Sequence, residues 1–270
     1  MCGIAGIVNL DSRAVTVREL KNMTDNMIQR GPDDDGFFVV DSDGIGMRRL
    51  SIIDVSGGHQ PLSNEDDTIH LVLNGEIYNH HELRKELVAK GHVFKTGSDA
   101  EVLIHLYEDK GVDAINDLNG MFAFALYDKK RKVTWIARDR LGIKPLFFFK
   151  SDSQLVFASD INALRAAVDA RISPNQFLSY LAFGYTPNGE TVWSNVRKLD
   201  AGAYFWIERN NVNKKFYWQL EEQSDWSGNL DDARQELDFL LRDSIKLQLR
   251  SDVPLGVFLS GGLDSSAIVS

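Results

Sequence analysis

The second residue, Cys2, is the only cysteine among 270 residues and opens the run CGIAGI. Removal of Met1 would leave one residue carrying both a thiol and a free α-amine. A cysteine thiol titrates near pKa ~8.5 and an α-amine near ~7.7 to 8.0, so at neutral pH the amine is partly unprotonated and can act as base for its own thiol. That pairing is a self-contained nucleophile. Position alone also permits a blander role, a small apolar side chain on a first strand, because unpaired cysteines are commonly buried and inert.

Other polar residues suited to chemistry fall in four short tracts: RGPDDDG at Arg30 to Gly36, RLSIID at Arg49 to Asp54, NGEIYN at Asn74 to Asn79, and TGSDAE at Thr96 to Glu101. Arg49 offers a planar fork that fits a carboxylate in a way lysine cannot reproduce. Asn74 has a side-chain amide and Gly75 a backbone N–H, both suited to charge developing on an oxygen. Each residue has a structural alternative. Asn74-Gly75 is a strong hairpin-turn signal, Asp99 suits the first turn of a helix behind Ser98, and Arg49 reads as a surface cation. RGPDDDG reads as a shaping loop in which Pro32 fixes the turn and the acidic run is solvated.

A second kind of site is suggested by SGGLDSS at Ser260 to Ser266. It lacks the GK[ST] ending of a Walker loop, yet a glycine turn between strand and helix presents backbone N–H groups and hydroxyls to an anion.

Composition narrows the setting. Thirty basic against 39 acidic residues give a net charge of −9, with no basic stripe to follow a nucleic-acid backbone, so no nucleic-acid partner is expected. A lone cysteine excludes an internal disulfide and fits a reducing compartment. With no apolar run of membrane-spanning length, the expectation is a cytoplasmic protein without membrane association. The six histidines are scattered, and the adjacent His80 and His81 are expected to point apart, so no structural metal is expected.

Three helices are marked by their ends: a capping box at Thr16 and Glu19 followed by Val17, Leu20, Met23 and Met27, a start at Asn79 with Glu82 running to Gly91, and a start at Ser98 with Glu101 running to about Gly111. Strands are expected at Leu71 to Leu73, Met121 to Tyr127, Val133 to Ala137, Leu146 to Phe149 and Leu155 to Ala158, with tight, antiparallel connections such as DKKRK. This pattern predicts a layered α+β domain. The polar tract Leu220 to Asp231 reads as a linker. Beyond it, the apolar face Ala233, Leu237, Leu240, Leu241 and Ile245, then a VFL strand at Val257 to Leu259, read as the opening of an α/β unit.

Taken in order, CGIAGI, RGPDDDG, RLSIID, NGEIYN, TGSDAE, GMFAFALYD and RDRLGIKPLFF resemble class II glutamine amidotransferases with an N-terminal cysteine nucleophile, and among them the glutamine-hydrolysing asparagine synthetases. SGGLDSS resembles the pyrophosphate loop of ATP pyrophosphatases. The resemblance spans the whole chain. It implies an αββα N-terminal-nucleophile glutaminase domain at 1–219, a linker at 220–231, and the truncated beginning of an α/β ATP-pyrophosphatase domain at 232–270. Met47 and Ala100 stand where relatives often carry other residue types, without removing a functional group.

The same resemblance implies roles. Cys2 would attack the glutamine carboxamide, with Asn74 and Gly75 as the oxyanion site. Arg49, Leu50, Ser51, Ile52, Ile53, Asn74, Gly75, Glu76 and Asp99 would bind glutamine, Arg49 taking the α-carboxylate and Asp99 with Glu76 the α-ammonium. Leu259, Ser260, Gly261, Gly262, Asp264, Ser265 and Ser266 would hold ATP, Asp264 through Mg²⁺. ATP and Mg²⁺ are implied for the longer enzyme, and no cofactor for glutamine hydrolysis. Released ammonia would amidate aspartate to asparagine through an acyl-adenylate. Glutamine, aspartate and ATP are thus the implied small-molecule partners, with a homodimer left open. A chain ending at Ser270 is expected to be a fragment or a gene remnant with glutaminase activity only. Sugar-acid amidation, β-lactam formation and a non-catalytic scaffold are the competing readings; the intact set of Cys2, Arg49, Asn74 and Asp99 speaks against the last two.

Overall fold

The computed structural model describes residues 2–222 and 226–270. Met1, and the part of the expected linker at 223–225, lie outside the described residues.

The first half of the chain runs β1 (Gly3–Asn9), α1 (Val17–Asp25), β2 (Asp34–Val40), β3 (Asp43–Arg49), β4 (Leu62–Ser63), β5 (Ile69–Ile77), α2 (His80–Ala89) and α3 (Glu101–Lys110). After a 3-10 helix at Gly111–Asp117 come β6 (Gly120–Asp128), β7 (Val133–Arg138), β8 (Phe147–Lys150), β9 (Gln154–Ala158), α4 (Ile161–Arg165) and α5 (Pro174–Phe183). The remainder is β10 (Val196–Lys198), β11 (Ala203–Glu208), β12 (Asn211–Phe216), α6 (Leu230–Gln248) and α7 (Leu263–Val269).

Two six-stranded sheets form, ordered β10-β8-β9-β1-β3-β2 and β12-β11-β7-β6-β5-β4. Every pairing in them is antiparallel. The two-residue period of a strand sorts the side chains into three apolar layers. Along β6, Ala123 and Ala125 face the opposite sheet, whereas Phe122, Phe124 and Leu126 face α2 and α3. Along β1, Ile4 and Val8 enter the inter-sheet layer, while Ala5 and Ile7 pack with Leu20, Met23 and Met27 beneath α1 and with Ala163 and Leu164 of α4. On β6 the small side chains thus face the other sheet, where Ile4, Met47, Phe157 and Phe205 fill the layer, while its aromatics fill the space under the helices. The result is the expected αββα sandwich. Met47 belongs to its inter-sheet core and is fully buried, which accounts for an apolar residue there.

The five strands expected in the layered domain are present, and Thr16 and Glu19 form the expected reciprocal capping box. Two other helix starts differ from expectation. Asn79 makes no capping bond: its amide donates to Asp117 O at 2.9 Å and its oxygen accepts from Asn119 N at 3.0 Å, joining two loops instead. The helix after Ser98 begins only at Glu101, because the Glu101 carboxylate turns back to accept from Lys95 N and Thr96 N. The acidic tract is not all loop either, since β2 starts at Asp34. His80 and His81 do not point apart; their ring centroids are 4.0 Å from each other.

The VFL segment is not a strand. Val257 to Leu259 is exposed with no ladder partner among the described residues, and an isolated strand has nothing to satisfy its backbone groups. α6 buries none of its residues, so Leu237, Leu240 and Leu241 are exposed as an apolar face. No helix among the described residues is long and apolar enough to cross a membrane.

Candidate active site

At one end of the sandwich a cleft of about 530 Å³, its open mouth included, is lined by Cys2, Arg49, Asn74, Gly75, Glu76 and Asp99, together with Leu50, Ile52 and Ile53. The fold explains the convergence. Cys2 precedes β1, which pairs with β3, and β3 ends at Arg49. Cys2 Sγ lies 3.4 Å from Leu50 N and 3.6 Å from Leu50 O, just past that strand end. Burial pushes the thiol pKa up, opposed by the Leu50 N–H and by Arg49.

β5 brings three more residues. Val72 lies in the inter-sheet layer and Asn74 follows at the same parity, so its amide points toward β1. Asn74 Nδ2 reaches Ser159 Oγ at 3.4 Å, and Oδ1 is buried with no hydrogen-bond partner among the described residues. The turn alternative for Asn74-Gly75 is excluded, because both sit inside the β5–β6 ladder. Gly75 is required there: its φ is +153°, and a Cβ would stand 2.0 Å from Met121 O. On the β5 edge away from β6, Leu73 N donates to Gln60 Oε1 at 2.7 Å and Ile77 N to Asp99 Oδ2 at 2.7 Å. Backbone groups alternate edges along a strand, which puts the Gly75 N–H on that same edge, between these two and facing the cleft.

Arg49 is 5% exposed, and its guanidinium donates to the carbonyls of Ile53 at 3.1 Å, Asp54 at 2.6 Å and Val55 at 3.4 Å. Gly58 admits it, since a Cβ there would be 2.5 Å from Arg49 Nη2. Among the described residues no carboxylate forms an ion pair with Arg49. Asp99 is its counterpart, a 6% exposed carboxylate held by Ile77 N with no cation paired to it among the described residues. Burial raises the Asp99 pKa to about 6, with Glu76 adding to the rise. Glu76 is itself raised by burial, opposed by Lys144.

Of the glutamine residues implied by the resemblance, only Ser51 lies outside the cleft lining. Its backbone N–H is turned to Asp33 Oδ2 at 2.8 Å. The cleft also holds residues the sequence did not single out. Lys144 enters from the RDRLGIK turn, which Asp139 knits by accepting from the backbone N–H groups of Leu141, Ile143 and Lys144. Burial lowers the Lys144 pKa, opposed by Glu76 and Cys2. Gln60 and Ser98 also line the wall. A buried-side-chain role for Gln60 has no local signature, because its amide replaces a missing strand partner of Leu73.

The residues at Leu259 to Ser266 line no part of this cleft and are exposed apart from a half-buried Ser265. Ser260 Oγ and Ser265 Oγ are 2.8 Å apart across the loop, and Gly261 has φ +76°. A separate group, His92, His105 and Glu108, places three ligand-type atoms within 4.8 Å of one another. His105 Nδ1 is 2.9 Å from Glu108 Oε2, and Nε2 is 3.8 Å from Glu101 Oε1. Burial alone would lower the His105 pKa, but the Glu101 and Glu108 carboxylates outweigh it and raise it to about 9.

A double-layered antiparallel sandwich with a cysteine beside the first strand and a paired-charge cleft defines a class, and the comparisons agree with it. Residues 1–218 match the model for the glutamine amidotransferase domain, so the chain belongs to that family. Residues 236–270 match the asparagine synthase model. The chain is 41% identical to glutamine-hydrolysing asparagine synthetase 1 of Bacillus subtilis, covering 100% of this chain and 43% of that protein. It is 38% identical to asparagine synthetase B of Escherichia coli, covering 99% and 44%. The chain thus spans less than half the length of these curated relatives. Among solved structures, the glutamine phosphoribosylpyrophosphate amidotransferase of B. subtilis superposes with a TM-score of 0.62 at 20% identity, over 90% of this chain and 58% of that one, a shared fold.

Proposed function

We propose that the cleft binds and hydrolyses glutamine. The observation that carries this reading is the pair of unmatched buried charges, Arg49 without a carboxylate and Asp99 without a cation among the described residues. Burying isolated charges is costly, and a zwitterionic amino acid neutralises both at once. Its α-carboxylate meets Arg49 and its α-ammonium meets Asp99 and Glu76, which directs the side chain toward Cys2.

Cys2 Sγ then attacks the carboxamide carbon. Negative charge gathers on the amide oxygen, where Asn74 Nδ2 and the Gly75 N–H donate. One such donor is typically worth about 3 to 4 kcal/mol of barrier. Collapse expels ammonia and leaves a thioester, which water hydrolyses to glutamate. Release of Met1 supplies the α-amine, which takes the thiol proton as a base and, as the ammonium, gives it to the departing nitrogen.

In this reading the ammonia serves amidation of aspartate, in the cytoplasm, in a protein carrying the rest of the synthetase unit. The support is the asparagine synthase match at 236–270 together with the named relatives. ATP would bring the activating phosphoryl chemistry. The hydroxyls of Ser260, Ser265 and Ser266 and the backbone of Gly261 and Gly262 suit phosphate oxygens. Leu259 suits the adenosine, and Asp264, being anionic, suits Mg²⁺. The domain limits 1–219, 220–231 and 232–270 belong to the same proposal. Glutamate release from glutamine, lost on Cys2→Ala, is the test.

A further inference from the structure

Beyond α6 the chain returns to the sandwich and takes hold of the loop that grips Arg49. Asp252 N donates to Ile52 O at 3.2 Å, and Asp252 Oδ2 accepts from Asp54 N at 2.7 Å. Two residues earlier, Arg250 forms a fork on Glu82, with Nη2 at 2.9 Å from Oε1 and Nη1 at 3.2 Å from Oε2, and Nη1 also donates to Tyr78 O. Ser251 closes the turn, its hydroxyl accepting from Val253 N at 3.2 Å and donating to Val253 O at 3.0 Å. These contacts join residues about 170 to 200 positions apart in sequence.

Asp54 is the point where this strap meets the cleft. It has φ +49°, a left-handed conformation that aspartate adopts more readily than most residues but still at some cost. Its carbonyl accepts from Arg49 Nη2 at 2.6 Å and from Gly58 N at 2.9 Å. Its carboxylate accepts from Gly57 N at 2.9 Å and from Gly97 N at 2.7 Å, two residues before Asp99. One residue thereby ties the buried cation to the segment carrying the buried anion. Its remaining backbone donor is taken by Asp252.

We infer that Asp252 is a positioning residue for the amino-acid cleft: from the segment matching the synthetase family it fixes Asp54, and through Asp54 the spacing of Arg49 and Asp99. The inference rests on the glutamine reading above. A charge-assisted bond to a backbone N–H locks the strained residue, so its loss lets the loop sample conformations in which Arg49 no longer faces the substrate carboxylate. Asn74 and Gly75 stand inside the β5–β6 ladder and Cys2 is joined directly to β1, so their geometry is set by the sheets, although Leu50, which Cys2 Sγ touches, leads into the strapped loop.

The test is steady-state glutamine hydrolysis by the full chain carrying Asp252→Ala, Asp252→Asn or Arg49→Lys, with the rate of Cys2 alkylation by iodoacetamide, a probe with no α-carboxylate. Asp252→Ala should raise the glutamine KM about tenfold, some 1.4 kcal/mol, with kcat and alkylation within about twofold of wild type on the same scale. Asp252→Asn, which still presents an accepting oxygen, should lie near wild type. An unchanged KM in Asp252→Ala, with Arg49→Lys raising it, would overturn the strap and leave the glutamine reading intact. Joint loss of kcat and alkylation in Asp252→Ala would overturn it too, by showing general disruption. An unchanged KM in Arg49→Lys would overturn both the glutamine reading and the strap.

Discussion

The carboxylate of Asp99 accepts a hydrogen bond from the backbone N–H of Ile77 at 2.7 Å, which fastens a buried anion to the end of β5, one residue past Glu76. Because Gly75 lies on the same strand, the groups assigned to the substrate ammonium and to the oxyanion share one rigid element. A site built this way loses little precision to loop motion.

The first prediction concerns pH. Burial and Glu76 hold the Asp99 pKa up at about 6, so the free protein carries a neutral Asp99 below that pH and an anion above it. Only the anion pairs with an ammonium. The kcat/KM for glutamine should therefore fall on the acid side with an apparent pKa near 6, and Asp99→Asn should depress it about 10²-fold, in line with removing one partner of a buried charge pair. A flat profile from pH 5 to 7.5 would remove Asp99 from this role.

For the oxyanion donors, Asn74→Ala should lower kcat about 10²- to 10³-fold with little change in glutamine KM, since the bond strengthens only once charge has developed. Stopped-assay kinetics decide this. A rise in KM at constant kcat would make Asn74 a ground-state contact instead.

The His105 proton gives a stability prediction. Its folded-state pKa is raised to about 9 against an unfolded value near ~6.5, so its contribution is fully present below about pH 6.5 and is lost as pH rises through about 9. The partners are Glu101 and Glu108, with the ring of His92 packed 4.9 Å away. Thermal unfolding midpoints measured from pH 6 to 9.5 should decline in wild type more steeply than in His105→Gln. Parallel curves would show that no proton is held there.

Hydrogen exchange should separate the chain into two regions. Amides of β5 to β7 lie in the centre of a sheet and should be strongly protected, whereas 255–270, with its exposed unpaired segment and the seven-residue α7, should exchange quickly. Equal protection in both regions would contradict the exposure of Val257, Phe258 and Leu259.

Much of the sandwich was legible because β6, β7 and β9 combine β-branched or aromatic residues with clear turns. β2 and β3 were not. Asp34 and Asp35 read as solvated, and Gly44 and Gly46 leave β3 without an apolar rhythm, so those strands depend on pairing with β1 and with each other. That Cys2, Arg49, Asn74, Gly75, Glu76 and Asp99 belong together was legible through motif order, and the fold gathers them in one cleft. Lys144 and Gln60 were not, since each arrives through a loop whose course is set by distant partners, the Asp139 carboxylate in one case and the Leu73 backbone in the other. Conversely, the VFL segment has a strand's composition without a neighbour to pair with, and composition alone did not make it one.

That Cys2 is the nucleophile of a glutamine-hydrolysing cleft underlies every role proposed for its neighbours. Its most direct test is glutamate release from glutamine by the purified chain, followed with the intact mass of the same sample. Turnover is expected in protein lacking Met1, with a transient mass increase of a glutamyl group on Cys2, and none in Cys2→Ala. Undiminished glutamate release by Cys2→Ala, or full activity with Met1 retained, would contradict it.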